Sequence, residues 1–385
     1  MHAPRRREAG IEENAARQAN RPKHFRKRVN HRGNLQIWTN GQLIRSGDHS
    51  SRHGSLYTGH TNEEPTNRRL IPPLSGCSSR NGVGNDNSGK TGILIMSTAP
   101  AIETNNQYID FWNAVLVPKF NTWRHILAGG LHLHSAKVFP ALPIRAGDSV
   151  LDVGCGWGDT AIELARRVGP EGSVVGLDCC GAFLDAGRAD AKAAGVTNLT
   201  FLEADVQAYP FAPVHDFCFS RFGTQFFENP VAGLRNMRSA LRPDGLMTMI
   251  VWRARADNPW LTLSKEVLLR YLPPVKEDAA TCGPGPFSMT DTEAVTQQLH
   301  IAGYRDVRFE RIDVEVLVGR DLDEAVAFQL AIGPAGEVYR EAGSEAVRLH
   351  NTLVGALKDE LRKFVRPEGV MMNSSSWMVT AKNPA

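Results

Sequence analysis

Residues 150–159 read Val150-Leu151-Asp152-Val153-Gly154-Cys155-Gly156-Trp157-Gly158-Asp159. The opening residues have the composition of a short buried strand. Three glycines at alternate positions then let the chain turn sharply and bring bare backbone against a ligand. From Asp159 onward apolar residues recur at helical spacing, so the turn leads into a helix whose first N–H groups are free to face that ligand.

Outward from this stretch, short apolar runs alternate with helical segments. Strands are expected at 149–153, 173–177, 199–202, 216–220 and 246–252, and helices at 159–168, 181–194 and 230–241. That alternation is the pattern of a sheet covered on both faces. The expected fold is α/β, with a doubly wound, mostly parallel, Rossmann-like sheet of seven strands once 307–317 and 377–381 are added. Arg242-Pro243-Asp244-Gly245 reads as a turn before the fifth strand, with Gly245 free to take positive φ. Further helices are expected at 258–272, at 290–302 with Thr290 or Asp291 as cap, at 322–332 and at 337–364. The helical stretch 321–364 is longer than a connection requires and is expected to cap something. Residues 108–134, with Trp112 and Trp123, read as one or two amphipathic helices, either a lid over the carboxyl edge of the sheet or packing against it.

Length and charge divide the chain further. At 385 residues it exceeds one minimal core. Residues 1–95 hold 16 Lys+Arg against 7 Asp+Glu, and the remaining 290 residues hold 28 against 34. The overall charge of +3 therefore averages a basic leader and an acidic body. Leu, Ile, Val and Phe make up 15 of the first 95 residues, too few to offset chain entropy, so the leader is expected to be disordered. The reading is thus a leader over 1–95, a helical lid over 96–147 and a ligand-binding domain over 148–385. Composition turns globular at Met96, so the leader is a candidate over-extension of the native chain.

The leader contains Gly84, four residues, then Gly89-Lys90-Thr91, which fits a phosphate-binding loop pattern. That loop requires a strand before it and a helix after it; Pro72-Pro73 precedes and Pro100 follows, so a chance match is expected. The basic cluster at Arg26-Lys27-Arg28 is read as a solvated tail. No apolar run approaches the length of a membrane span. Six cysteines without a CxxC pair suggest neither a disulfide scaffold nor structural zinc, and point to a reducing, cytoplasmic setting. Nothing in the sequence sets the oligomeric state.

Ligands of doubly wound sheets bind outside the carboxyl ends of the strands, where the winding reverses. Two acids stand there. Asp178 ends the second strand, placed to accept from a ribose diol, and Asp205 follows the third, placed to accept from an exocyclic amine. A dinucleotide would also use the ribose carboxylate, but its G-x-G-x-x-G spacing differs from Gly154-x-Gly156-x-Gly158. Asp152 and Asp159 beside the loop repel a pyrophosphate and suit a ligand carrying an ammonium and a sulfonium.

These stretches, with Gly176-Leu177-Asp178, Glu203-Ala204-Asp205-Val206, Phe219-Ser220-Arg221-Phe222-Gly223 and Ala240-Leu241-Arg242-Pro243-Asp244-Gly245, resemble the class I SAM-dependent methyltransferases. They are similar to the broad group of ubiquinone/menaquinone-biosynthesis C-methyltransferases. Two departures are visible: Asp244 where the family pattern has glycine, and Cys179-Cys180 where a small or hydroxyl residue usually follows the ribose acid. The resemblance covers 106–385.

It implies S-adenosyl-L-methionine as cofactor, with Gly154, Cys155, Gly156 and Gly158 along its methionine and ribose. Asp152 would lie at the amino group, Asp178 and Cys179 at the ribose, Asp205 and Val206 at the adenine, and Ser220 and Arg221 near the sulfonium and acceptor. The implied reaction is in-line methyl transfer to a small molecule. The alternatives are a SAM-binding protein without transfer activity and an NAD-dependent oxidoreductase. His125, His132, His134 and His300 are base candidates that no spacing distinguishes, and His132-x-His134 lacks a third ligand for a metal. Phe222, Phe226, Phe227, Trp112 and Trp260 would wall an apolar acceptor pocket or pack in the core. The acidic body and the missing base-stacking motif disfavour nucleic acid.

Overall fold

The chain divides into two units, Met1–Ile93 and Leu94–Ala385. A computed structural model describes residues 26–29, 35–39 and 42–44 of the first and residues 107–385 of the second. The leader segments are strands β1 (Arg26–Val29), β2 (Leu35–Thr39) and β3 (Gln42–Ile44), paired antiparallel in that order. A composition averaged over 95 residues is blind to such local pairing; Asn40-Gly41 between β2 and β3 is a two-residue hairpin signal. The Gly84–Thr91 match and Met96 lie outside the described residues.

In the second unit, α1 (Gln107–Phe111), a π-helical turn (Trp112–Leu116) and α2 (Val117–Thr122) lead into α3 (Arg124–Val138). The sheet follows. β4 (Ser149–Val153), β5 (Ser173–Asp178), β6 (Leu199–Glu203), β7 (His215–Arg221) and β8 (Leu241–Trp252) run parallel in the order β6-β5-β4-β7-β8. The winding reverses between β4 and β7, which opens a crevice at their carboxyl ends. β11 (Gly369–Lys382) lies antiparallel on β8, and β9 (Arg305–Gly319) antiparallel on β11. These are the seven long strands; the two-residue β10 (Val365–Arg366) on β11 makes eight.

Strand alternation sorts the core into two layers. Val150, Phe217 and Phe219 pack with Ala161 and Leu164 of α4 (Asp159–Val168) and with Leu184 of α5 (Gly181–Ala193). Leu151, Val153 and Cys218 pack on the other face with Leu234 and Met237 of α6 (Pro230–Ser239) and with Val295 and Leu299 of α8 (Thr292–Ala302). Both faces are covered, so the central strands are continuous apolar runs.

Three local expectations change. Residues 242–245 are a bulge within β8 rather than a turn before it, because Leu241 pairs with His215 and Leu246 with Phe217. Asp244, at φ 65°, takes the left-handed conformation instead of Gly245; Gly245 is needed for space, since a Cβ there would come within 2.9 Å of the Arg242 carbonyl oxygen. The helix expected over 337–364 is three helices, α10 (Gly333–Glu341), α11 (Ser344–Arg348) and α12 (His350–Leu361), broken at Gly343 with φ 53°. The strand expected at 377–381 is the long β11, whose Ser374-Ser375-Ser376 run hides it from an apolar pattern. Elsewhere boundaries move by a few residues: α7 (Pro259–Leu268) and α9 (Leu322–Ala331) end early, and Asp291 caps α8 by accepting from the N–H groups of Glu293 and Ala294.

Candidate active site

Gly154, Gly156 and Gly158 all have positive φ, so the loop after β4 uses its glycines for conformation. Each also has a separate role. A Cβ on Gly154 would come within 3.0 Å of the Gly223 Cα, so glycine lets the loops after β4 and β7 touch. Gly158, the N-cap of α4, faces the Phe201 ring, which a Cβ would meet at 2.6 Å. Gly156 lines a cavity, and a Cβ there would meet no protein atom within 4 Å.

That cavity lies over the carboxyl ends of β4, β5 and β7. Gly154, Cys155, Gly156, Asp178, Cys179, Asp205, Val206 and Arg221 of the sequence-predicted set all line it. Asp178 takes the Gly156 N–H on Oδ2 at 2.9 Å and the Cys180 N–H on Oδ1 at 3.0 Å, clamping the glycine loop to the end of β5. Burial pushes its carboxyl above the ordinary range, against the pull of those two N–H groups. Asp205 receives the Gln207 N–H on Oδ1 at 2.9 Å, while its Oδ2 makes no hydrogen bond with a described residue. The Cys179 and Cys180 sulfurs stand 3.8 Å apart at the same wall.

Asp152, Gly158 and Ser220 do not line the cavity. The sequence reading places Asp152 at the ligand's amino group; its side chain instead points into the core, wholly buried, with the Thr160 hydroxyl donating to Oδ2 at 2.6 Å. Burial raises this carboxyl to about 7, opposed by Thr160 and Arg221. Ser220 is likewise wholly buried, and its hydroxyl has no partner among the described residues. For Asp152 and Ser220 strand alternation is the reason: each stands one residue before the last of its strand, and the terminal residues Val153 and Arg221 line the cavity instead.

Arg221, at the end of β7, donates from both guanidinium nitrogens to Asp159 at 2.8 Å, and its side chain is 6% exposed. Phe222 follows at φ 60°, a conformation rare for an aromatic residue. It is held by its N–H donating to Ile250 and by stacking on Trp252 at 3.6 Å between ring centroids.

The rest of the wall is apolar and comes from far along the chain. Trp112, Phe222, Phe226, Phe227 and Trp260 all line the cavity. Trp112 meets Phe226 edge-on at 5.0 Å, and its indole N–H donates to the Cys282 carbonyl. Lys119 of α2 and Gly333, Glu337 and Arg340 of α10 close the cavity on the helical side. Sequence reasoning missed Lys119, Glu337 and Arg340, because side chains more than 200 residues apart give no spacing signal.

Among the described residues, no histidine lines the cavity. His134 is wholly buried between the hydroxyls of Ser374 and Ser376, at 2.8 and 2.9 Å. Burial, then the charge of Arg221, lowers its pKa to about 3, so it is neutral. His125 stands beside Glu324, and His132 and His300 are exposed.

Residues 150–245 match the methyltransferase domain family. A ubiquinone/menaquinone biosynthesis C-methyltransferase of Ectopseudomonas oleovorans is 34% identical over 130 residues, which cover 33% of this chain and 76% of that protein. One of the same description from Pseudomonas putida is 33% identical over 135 residues, 34% of this chain and 53% of the relative. The chain spans about half the length of the Pseudomonas putida relative. Among solved structures, a SAM-dependent methyltransferase from Aquifex aeolicus aligns at 24% identity over 47% of this chain and 82% of that one, with a TM-score of 0.35, too slight a likeness to argue from. The chain belongs to the class I SAM-dependent methyltransferases. The cofactor of that class is S-adenosyl-L-methionine, and the open backbone at Gly156 between two carboxylates fits it.

Proposed function

We propose that this chain is an enzyme that transfers the methyl group of S-adenosyl-L-methionine to a small apolar or aromatic acceptor by in-line displacement. One observation carries the reading: Gly156, Asp178 and Asp205 share a single cavity with Trp112, Phe226 and Trp260. When bound, the cofactor supplies an already activated methyl group. What the protein adds is orientation and exclusion of water.

In this reading Asp178 receives the ribose hydroxyls on the lone pairs that Gly156 and Cys180 leave free. Asp205 Oδ2 and Val206 receive the adenine. Gly154, Cys155 and Gly156 back the methionine portion, with Cys179 beside the ribose. Asp152, Gly158 and Ser220 support the loop from behind, and Arg221 holds Asp159 at the wall. Among the described residues no histidine lines the cavity to act as base, which favours an acceptor whose attacking atom is already nucleophilic. The acidic body speaks for a small molecule rather than nucleic acid. Five free cysteines among the described residues fit a reducing, cytoplasmic setting, and no described helix is long and apolar enough to cross a membrane.

Incubation with methyl-labelled S-adenosyl-L-methionine and a metabolite extract of the host tests the proposal; label is expected in a small molecule. Calorimetry with S-adenosyl-L-methionine, S-adenosylhomocysteine and NAD runs beside it. Binding of both sulfur ligands without label transfer would leave a binding protein. Tight NAD binding without response to either would make the chain an oxidoreductase.

A further inference from the structure

The cavity wall carries charges from both the sheet and the helices, and its two unpaired acids on the sheet side face a helical side with two cations and one acid, Glu337. Asp178 and Asp205 enter from the sheet, at the ends of β5 and β6. Asp159 is neutralised by its two-bonded pair with Arg221. On the helical side stand two cations, Lys119 of α2 and Arg340 of α10.

These two cations differ in what they hold. Arg340 donates to Glu341 at 3.0 Å and to the Ala280 carbonyl at 2.9 Å, and its guanidinium stacks on the Phe111 ring at 4.6 Å. The Lys119 side chain makes no hydrogen bond or ion pair with any described residue. It is half-buried, and burial together with the positive charge of Arg340 pulls its pKa below the usual lysine range. Glu337, one turn before Arg340, also lines the cavity but forms no ion pair with either cation. Its charge falls on the Cys282 thiol, which burial first and Glu337 second push up to about 11.

A half-buried lysine on the wall of a largely aromatic cavity, with a like charge near it and no ion-pair partner among the described residues, is costly unless a ligand completes it. The acids at the sheet side repel an anion, and Lys119 attracts it, so an anionic acceptor would enter with its charge toward the helices. Because the Arg340 donors are occupied and the Glu337 charge falls on Cys282 rather than on Lys119, the one unpartnered cation is Lys119. A monoanion matches it; a phosphate dianion would leave a charge uncompensated.

We infer that the acceptor is an aromatic or alicyclic molecule bearing a carboxylate, and that Lys119 is the specificity-determining residue that binds this group. The inference rests on the methyltransferase reading of the same cavity. It names the acceptor's charge, which neither the fold nor the relatives specify.

The test uses the full-length chain saturated with S-adenosylhomocysteine and titrated with naphthoate, naphthamide or naphthyl phosphate. Naphthoate is expected to bind at least about tenfold more tightly than the neutral, nearly isosteric amide. Lys119→Met is expected to bring that ratio to about one, and Lys119→Arg to keep most of it, while S-adenosylhomocysteine affinity stays unchanged in both. Equal binding of acid and amide, no binding of the acid, or a preference surviving in Lys119→Met would overturn the inference. Tighter binding of naphthyl phosphate than of naphthoate would overturn the carboxylate assignment. Failure of S-adenosylhomocysteine to bind the unaltered chain would instead remove the methyltransferase reading.

Discussion

Arg221, the last residue of β7, and Asp159, the first of α4, form a two-bonded ion pair across the point where the winding of the sheet reverses, with both N···O distances 2.8 Å. Burial alone would raise the Asp159 carboxyl; the Arg221 charge and hydrogen bonds outweigh it and hold it below the ordinary range. The pair therefore ties the helix that follows the glycine loop to the strand end on the other side of the crevice.

Breaking this pair from one side leaves a buried charge alone. Asp159→Ala is expected to cost about 3 kcal/mol, because the Arg221 side chain is only 6% exposed. The double variant Asp159→Leu/Arg221→Met should lose less than the sum of the two single changes. Urea unfolding of all variants in one double-mutant cycle measures the difference, and strict additivity would mean that the pair contributes nothing.

Asp178 clamps the loop and faces the cavity at once. Asp178→Ala should weaken S-adenosyl-L-methionine binding by roughly 100-fold, from the loss of charge-assisted hydrogen bonds worth about 1.5 to 3 kcal/mol each. It should also lower the melting temperature, since the Gly156 and Cys180 N–H groups lose their acceptor. Calorimetry and thermal melts read the two effects separately; unchanged affinity would refute the ribose assignment.

Gly156 and Gly158 separate ligand space from fold space. Gly158→Ala places a methyl group against Phe201 and keeps φ at 73°, so it should destabilise the chain by about 2 kcal/mol or more. Gly156→Ala meets no protein atom, so beyond about 1 kcal/mol of backbone strain its effect should fall on cofactor affinity. A larger stability loss at Gly156 than at Gly158 would reverse these roles.

Asp152 makes a pH prediction with a definite sign. Its folded-state pKa of about 7 lies above the ordinary value of 3.8. Between those values the native state holds a proton that the unfolded state has released, so the contribution of Asp152 to stability falls as pH rises from about 4 to 7 and is lowest above that. Asp152→Asn keeps an acceptor for Thr160 without the charge. It should raise the melting temperature at pH 8 by clearly more than at pH 5, where only part of the window has been crossed. His134, with its pKa lowered to about 3, works oppositely: its contribution falls as pH drops below 6.5. The comparison at pH 8 is free of it. An equal shift at both pH values would show that Asp152 is not a buried acid.

Much of the sheet was legible because its signals are local. Strand β4, helix α4 and the three glycines between them are adjacent in the chain, and alternation and glycine spacing are properties of neighbours. Asp178 and Asp205 were legible for a similar reason, since each follows a recognisable strand. Ser374-Ser375-Ser376 concealed most of β11, because the hydroxyls that look solvent-facing are buried against His134 and Asp313.

By itself the sequence determined the winding, the glycine loop and the two carboxylates at the strand ends. The three-dimensional structure decided which of those residues face the cavity, turning Asp152 into the core and leaving Gly156 open. It also brought Lys119, Glu337 and Arg340 to the same cavity as the loop. Local pattern is fixed by periodicity along one element, whereas the lining of a cavity depends on how separate elements pack, and that packing leaves no mark at any fixed spacing in the chain.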